Sequence, residues 1–149
     1  MGGDVTMIDL SEFSTVASGR GNGDLTHKTY LYYHPSSSGK PGTSMYLKLG
    51  RKASSEVLSY FGPKCRVLVQ PITGEIAVCR GDDKRFVAQN DKSTVSISCG
   101  LAREDFFRHH GEFKRMFFDV RWENDERGNK FLYCEPNGSF DRGEARWNS

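Results

Sequence analysis

The residues best suited to chemistry in this chain are two adjacent histidines, His109 and His110, preceded by Glu104 and Asp105. On a helix, Asp105 and His109 stand four positions apart and can meet on one face. A histidine held by a carboxylate can act as a general base. No serine or cysteine nucleophile lies close to the pair in sequence, and the apolar pattern described below puts His110 in a packed slot. The expectation is therefore a structural His110, an outward His109 paired with Asp105, and no catalytic residue.

A metal site would have to combine these histidines with His27, His34 or a cysteine. Structural zinc is held by short paired spacings such as CxxC or HxxxH, and the chain contains none. Neither a metal nor any other cofactor is expected. Of the four cysteines, Cys65, Cys79, Cys99 and Cys134, three fall inside apolar strand patterns and are expected as buried thiols.

Two short motifs have the outline of known signals. SSSGKPGTS at 36–44 looks like a phosphate-binding loop, but that loop requires GxxxxGK followed by Ser or Thr. Here His34 occupies the first glycine position, and Pro41 removes a backbone N–H that would face phosphate. Nucleotide hydrolysis is excluded on that ground, leaving at most an anion contact through Lys40. The start MGGDVT fits the myristoylation pattern, which six residues match often by chance. No apolar run approaches 18 residues, so no transmembrane helix is expected. The N-terminus has no basic region leading into an apolar stretch, so no secretory signal is expected and the location is read as cytoplasmic.

The remaining candidates are cations. Arg51 and Lys52 follow one strand pattern, and Arg103 takes a similar place after another. Lys64 and Arg66 open one hairpin pattern, Lys114 and Arg115 open a second, and Arg80, Lys84 and Arg85 lie between. Such groups suit a phosphate backbone, and outward Tyr46 and Lys48, with Tyr30 and Tyr32 nearby in sequence, could add stacking. The net charge of +2 is too small for a uniformly basic nucleic-acid domain, so any such contact must be a local patch.

Positioning these residues falls to a pattern written twice, at 44–79 and 94–134. Met45, Leu47 and Leu49 alternate on one strand face, and Val95, Ile97 and Cys99 repeat the alternation, with Gly50 matched to Gly100. Two short helical patterns follow: Val57, Leu58 and Phe61, then Phe106, Phe107 and His110 at the same spacing. Both are expected to carry acids in the first turn, Glu56 in one and Glu104 with Asp105 in the other. Each stops at a glycine, Gly62 or Gly111. A hairpin comes next in each unit: Cys65–Ile72 with Glu75–Cys79, and Met116–Glu123 with Lys130–Cys134. RGDDKR at 80–85 reads as a polar turn, and Phe86–Gln89 as an added strand.

The fold class expected is α+β and β-rich, with tandem strand–short helix–hairpin (βαββ) units forming a pseudo-twofold antiparallel sheet or small barrel. In element order it resembles the swapped-hairpin barrels of AbrB-type DNA-binding proteins. Residues 1–28 are read as a flexible segment, 29–135 as one globular domain, and 136–149 as a polar tail. The function expected is a non-enzymatic small binding protein that contacts nucleic acid or a nucleoprotein through the basic loops of both units. The alternative is a virus-encoded inhibitor or adaptor of anti-defence type, gripping one host protein through Tyr32, Phe117 and Trp147. No membrane partner is expected, and a homodimer is compatible with either reading.

Overall fold

The computed structural model describes residues 23–34, 44–89 and 93–142. The patterns at 1–22, the Lys40 loop and Trp147 lie outside the described residues. A 3-10 turn, Gly23–His27, leads into β1, Thr29–Tyr33. Then follow β2 (Ser44–Lys48), α1 (Arg51–Phe61), β3 (Lys64–Val69), β4 (Ile76–Arg85) and β5 (Val87–Ala88). The chain continues with β6 (Val95–Ala102), α2 (Arg103–His110), β7 (Arg115–Asn124) and β8 (Lys130–Asp141). The strands form one antiparallel sheet of eight in the order β3-β4-β8-β7-β1-β2-β6-β5. The fold is thus β-rich α+β, and the order strand, helix, strand, strand occurs at 44–85 and again at 95–141.

Period-two alternation places the core. Met45, Leu47 and Leu49 are buried, as are Val95, Ile97 and Cys99, and facing strands add Leu31, Ile76, Val78, Met116 and Leu132. Each such side chain contributes about 1.5–3 kcal/mol by leaving water. The helices lie on this inner face and insert Ala53 and Val57 from α1 and Phe106 from α2. Both helices end as expected: Gly62 and Gly111 adopt φ of +84° and +79°. Their N–H groups donate to the carbonyls of Leu58 (3.0 Å) and Phe107 (2.9 Å).

Several local expectations are corrected. The inner face of α1 is Ala53, Ser54 and Val57, while Leu58 is 42% exposed and Phe61 half-buried. Ser54 goes inside because its hydroxyl joins three elements. It donates to the Leu49 carbonyl (3.0 Å) and accepts from the Val95 N–H (3.0 Å). Because α1 begins at Arg51, Glu56 lies beyond the first turn. Gly50 directly precedes α1, whereas Gly100 sits within β6 at φ +75°, three residues before α2. Asp105 pairs with Arg108 (3.7 Å) rather than with His109. His110 is half-buried, with Nε2 2.9 Å from the Pro71 carbonyl oxygen.

RGDDKR is not a turn. It completes β4, where a bulge separates the pairs Arg66↔Cys79 and Cys65↔Lys84. The chain then runs through Phe86, whose N–H donates to the Pro63 carbonyl (3.0 Å), into β5, which pairs with β6. One continuous stretch therefore joins the β3 end of the sheet to the β6 end. Strand β8 likewise continues past Pro136 to Asp141, into the segment read as a polar tail. Proline is tolerated there because the register breaks beside it: Phe118 faces Pro136 and Met116 faces Phe140, with Gly138 at φ +86° in between.

Candidate nucleic-acid interface

The outer face of the sheet carries a row of rings where solvated side chains are the norm. The alternation that turns Leu31 inward turns Tyr30, Tyr32 and His34 outward, and the same alternation on β2 presents Tyr46. Tyr32 and Tyr46 lie 5.6 Å apart between centroids, and His34 sits 4.9 Å from Tyr46. The row runs on through Tyr30, 5.9 Å from Tyr32, to Phe117 on β7, 5.6 Å from Tyr30. Aromatic pairs at such spacings hold one another in place.

At the β6 end, the rings Tyr32, His34 and Tyr46 line a cleft of about 430 Å³ together with Lys84, Arg85, Val87 and Ala88. Gln89, Ser96 and Ser98 complete its lining. The Ser96 hydroxyl oxygen accepts from Tyr32 OH (3.2 Å) and Gln89 Nε2 (2.9 Å), which fixes the tyrosine ring. Burial is the main reason that the Tyr32 phenol is pushed above its usual pKa, against the opposing effect of the Ser96 bond. Among the described residues lining this cleft, none is acidic. The cations therefore face it without a competing carboxylate on its wall.

The bent β4–β5 run explains why Lys84 and Arg85 are here. By crossing from β3 to β6, it brings the end of β4 alongside the tyrosine face. Lys64 pairs across the ladder with Arg85, and the Arg66 side chain packs against Gly81 in the bulge. These residues form the basic end of one hairpin.

The other expected cations are dispersed or engaged. Arg51 and Lys52 open α1, and Lys52 stands 3.9 Å from Glu56. Arg103 opens α2 and stacks over Tyr33 at 5.0 Å and Phe107 at 5.6 Å. Arg80 lies over Tyr60 at 4.8 Å and donates to that residue's carbonyl. Arg115 is held by Asp141 (2.5 Å) and covers Tyr30 at 5.5 Å, while Lys114 is exposed at the start of β7's hairpin. Lys48, expected outward and available, is 5% exposed: its ammonium donates to the carbonyls of Leu25 and Lys28 and lies over Tyr30 at 5.1 Å.

His34, Gln89 and the two serines were not singled out from the sequence for this face. The period of KTYLYYH carries the signal for His34, since it continues the outward set Tyr30 and Tyr32. Of the residues suggested for a protein partner, Tyr32 and Phe117 both belong to the ring row.

A second cleft, of about 740 Å³, lies at the β7 end beside Phe117, Lys28 and Arg115, but Asp119 and Asp141 also line it. Among the described residues no group of three or more His, Cys, Asp or Glu side chains is arranged to hold a metal ion. All four cysteines are free; burial raises the thiols of Cys65 and Cys99 to about 12 and pushes Cys134 up still further. No described helix is long and apolar enough to cross a membrane. Comparison with protein-family models, curated proteins and solved structures found no match for this chain.

Proposed function

We propose that this protein is a non-enzymatic nucleic-acid-binding protein whose contact surface is the tyrosine face of the sheet, not the dispersed loops of both units. One observation carries the reading: Tyr32, His34 and Tyr46 share a cleft with Lys84 and Arg85, and no acidic residue among those described lines it. Rings accept bases by stacking, and the cations neutralise phosphates. An apolar ligand would not call for two cations, and a lone anion would not call for three rings.

We also read the body as two matched units about a pseudo-twofold axis, closing towards a small barrel. The register supports this. Leu47 lies directly opposite Ile97, its counterpart in the other unit, as a local dyad requires. Ala77↔Tyr133 and Val78↔Leu132 exchange when Ala77 is matched to Leu132 and Val78 to Tyr133. Each hairpin also carries a bulge, after Cys79 in one and after Pro136 in the other. The tyrosine face departs from the dyad because β1 is inserted between β7 and β2.

The test is a titration of fluorescein-labelled DNA and RNA with the full chain, followed by anisotropy. Binding at low salt that weakens as salt rises is expected. Absence of binding at about 50 mM salt, where phosphate contacts are strong, overturns the reading. Salt-insensitive capture of one protein without nucleic-acid binding would replace it with the host-protein reading.

A further inference from the structure

Stacking requires the face of a base, and a duplex hides its base faces within its own stack. The ring row offers its stacking positions at two ends. At one end, Tyr46 lies beside the exposed His34 at the mouth of the Lys84–Arg85 cleft. At the other, the ammonium of the exposed Lys28 lies over the Phe117 ring, 5.9 Å from its centre, so that a base stacking there displaces only an exposed side chain. Between them Tyr30 is covered by Lys48 and Arg115, at 5.1 and 5.5 Å, and Tyr32 is tied to Ser96. The middle of the row thus works as a rigid spacer.

From this we infer that the face takes an unpaired nucleic-acid strand rather than a duplex, laid across the sheet from Tyr46 to Phe117. The inference rests on the nucleic-acid reading given above and names its substrate class. The row crosses from β2 over β1 to β7. Including the β6 cleft, that is three inter-strand steps of about 4.8 Å, or roughly 14 Å. At a rise of ~3.4 Å per stacked nucleotide this distance accommodates about four or five nucleotides. Phosphates are drawn to the β6 end, where Lys84 and Arg85 stand on a wall without acids. At the β7 end, Lys28 and Arg115 are offset by Asp119 and Asp141, so Phe117 acts chiefly on the base.

The probes are fluorescein-labelled oligo-dT and oligo-U of two to twelve nucleotides and a mixed-sequence DNA duplex of similar length. The expected result is tighter binding to single strands, with affinity rising to about four or five nucleotides and then levelling off. Binding to oligo-dT alone, to oligo-U alone or to both fits the inference and identifies the sugars accepted. Tyr46→Ala and Phe117→Ala should each weaken binding about 5- to 100-fold, the range for losing one base–aromatic stack. Tyr46→Phe, which keeps the ring, should bind like the parent. Phe117→Leu, which keeps apolar bulk for folding, should be weak like the alanine variant, with circular dichroism verifying the fold. Equal or tighter binding of the duplex overturns the inference while leaving the nucleic-acid reading standing. So does affinity that climbs steadily to twelve nucleotides. If neither duplex nor single strand binds, the underlying reading fails as well.

Discussion

Removing one oxygen atom, by Ser54→Ala, tests the way in which α1 is fastened to the sheet. Ser54 is 1% exposed, and its hydroxyl donates to Leu49 at the end of β2 while accepting from Val95 at the start of β6. The variant keeps the β-carbon and improves helix propensity by a few tenths of a kcal/mol. Against that gain, a buried N–H and a buried carbonyl each lose a hydrogen bond. Leaving a buried group unsatisfied costs about 1–3 kcal/mol, so a net loss of about 2 kcal/mol is expected. For a chain of 149 residues this corresponds to a drop in Tm of about 4–8 °C. The assay is thermal and urea unfolding of the parent, Ser54→Ala and Ser55→Ala, the last removing an exposed neighbouring hydroxyl. Ser55→Ala should stay within about 0.5 kcal/mol of the parent. A Ser54→Ala variant equally close to the parent would refute the reasoning.

Other outcomes follow from the buried polar and sulfur groups. Lys48→Met retains most of the side-chain bulk but strips its bonds from the Leu25 and Lys28 carbonyls. It should lower stability by about 1–3 kcal/mol and speed hydrogen exchange first in the 3-10 turn, a pattern that unchanged exchange there would contradict. Native protein at pH 8 should react slowly with Ellman's reagent at Cys65, Cys99 and Cys134 and fully once denatured; rapid native reaction of two or more thiols would argue against their burial. Stability should also fall on the alkaline side. The folded thiols of Cys65 and Cys99 are raised to about 12, so below about pH 8.5 they are neutral in both states. Above that, thiols of the unfolded chain release protons that the folded chain keeps, and stability declines towards pH 12. Urea midpoints that are flat between pH 8 and 10 in the parent, with the same profile in Cys99→Ala, would contradict this.

The strands were legible in the sequence because burial on one face imposes a period of two on the apolar residues of β2 and β6, although Lys48 and Ser96 on the other face are buried as well. The glycine stops were legible too, since Gly62 and Gly111 both need positive φ. On helix α1 hydrophobicity alone ranks Leu58 above Ser54, whereas the strand ends need a hydroxyl at that place. Lys48 has an outward strand position, and the alternation has no means of reporting that the 3-10 turn folds back over it. RGDDKR and the segment after Pro136 looked like breaks because polar residues and proline interrupt regular ladders. Here each lies at a bulge, which lets β4 and β8 continue. The repeat alone distributes the cations over symmetric loop patches, but their gathering depends on tertiary course. Only the bent run from β4 into β5 brings Lys84 and Arg85 to the tyrosines, and no periodicity encodes that bend.

The most direct test of the nucleic-acid reading compares the salt dependence of oligo-dT and oligo-U binding for the parent and for Lys84→Ala/Arg85→Ala. Each phosphate contact on a single strand contributes about −0.7 to the slope of log K against log salt. If both cations meet phosphates, the double variant should bind more weakly at low salt, with a slope shallower by about 1.4. Parent-like affinity and slope in a folded double variant would contradict the assignment of this cleft to nucleic acid.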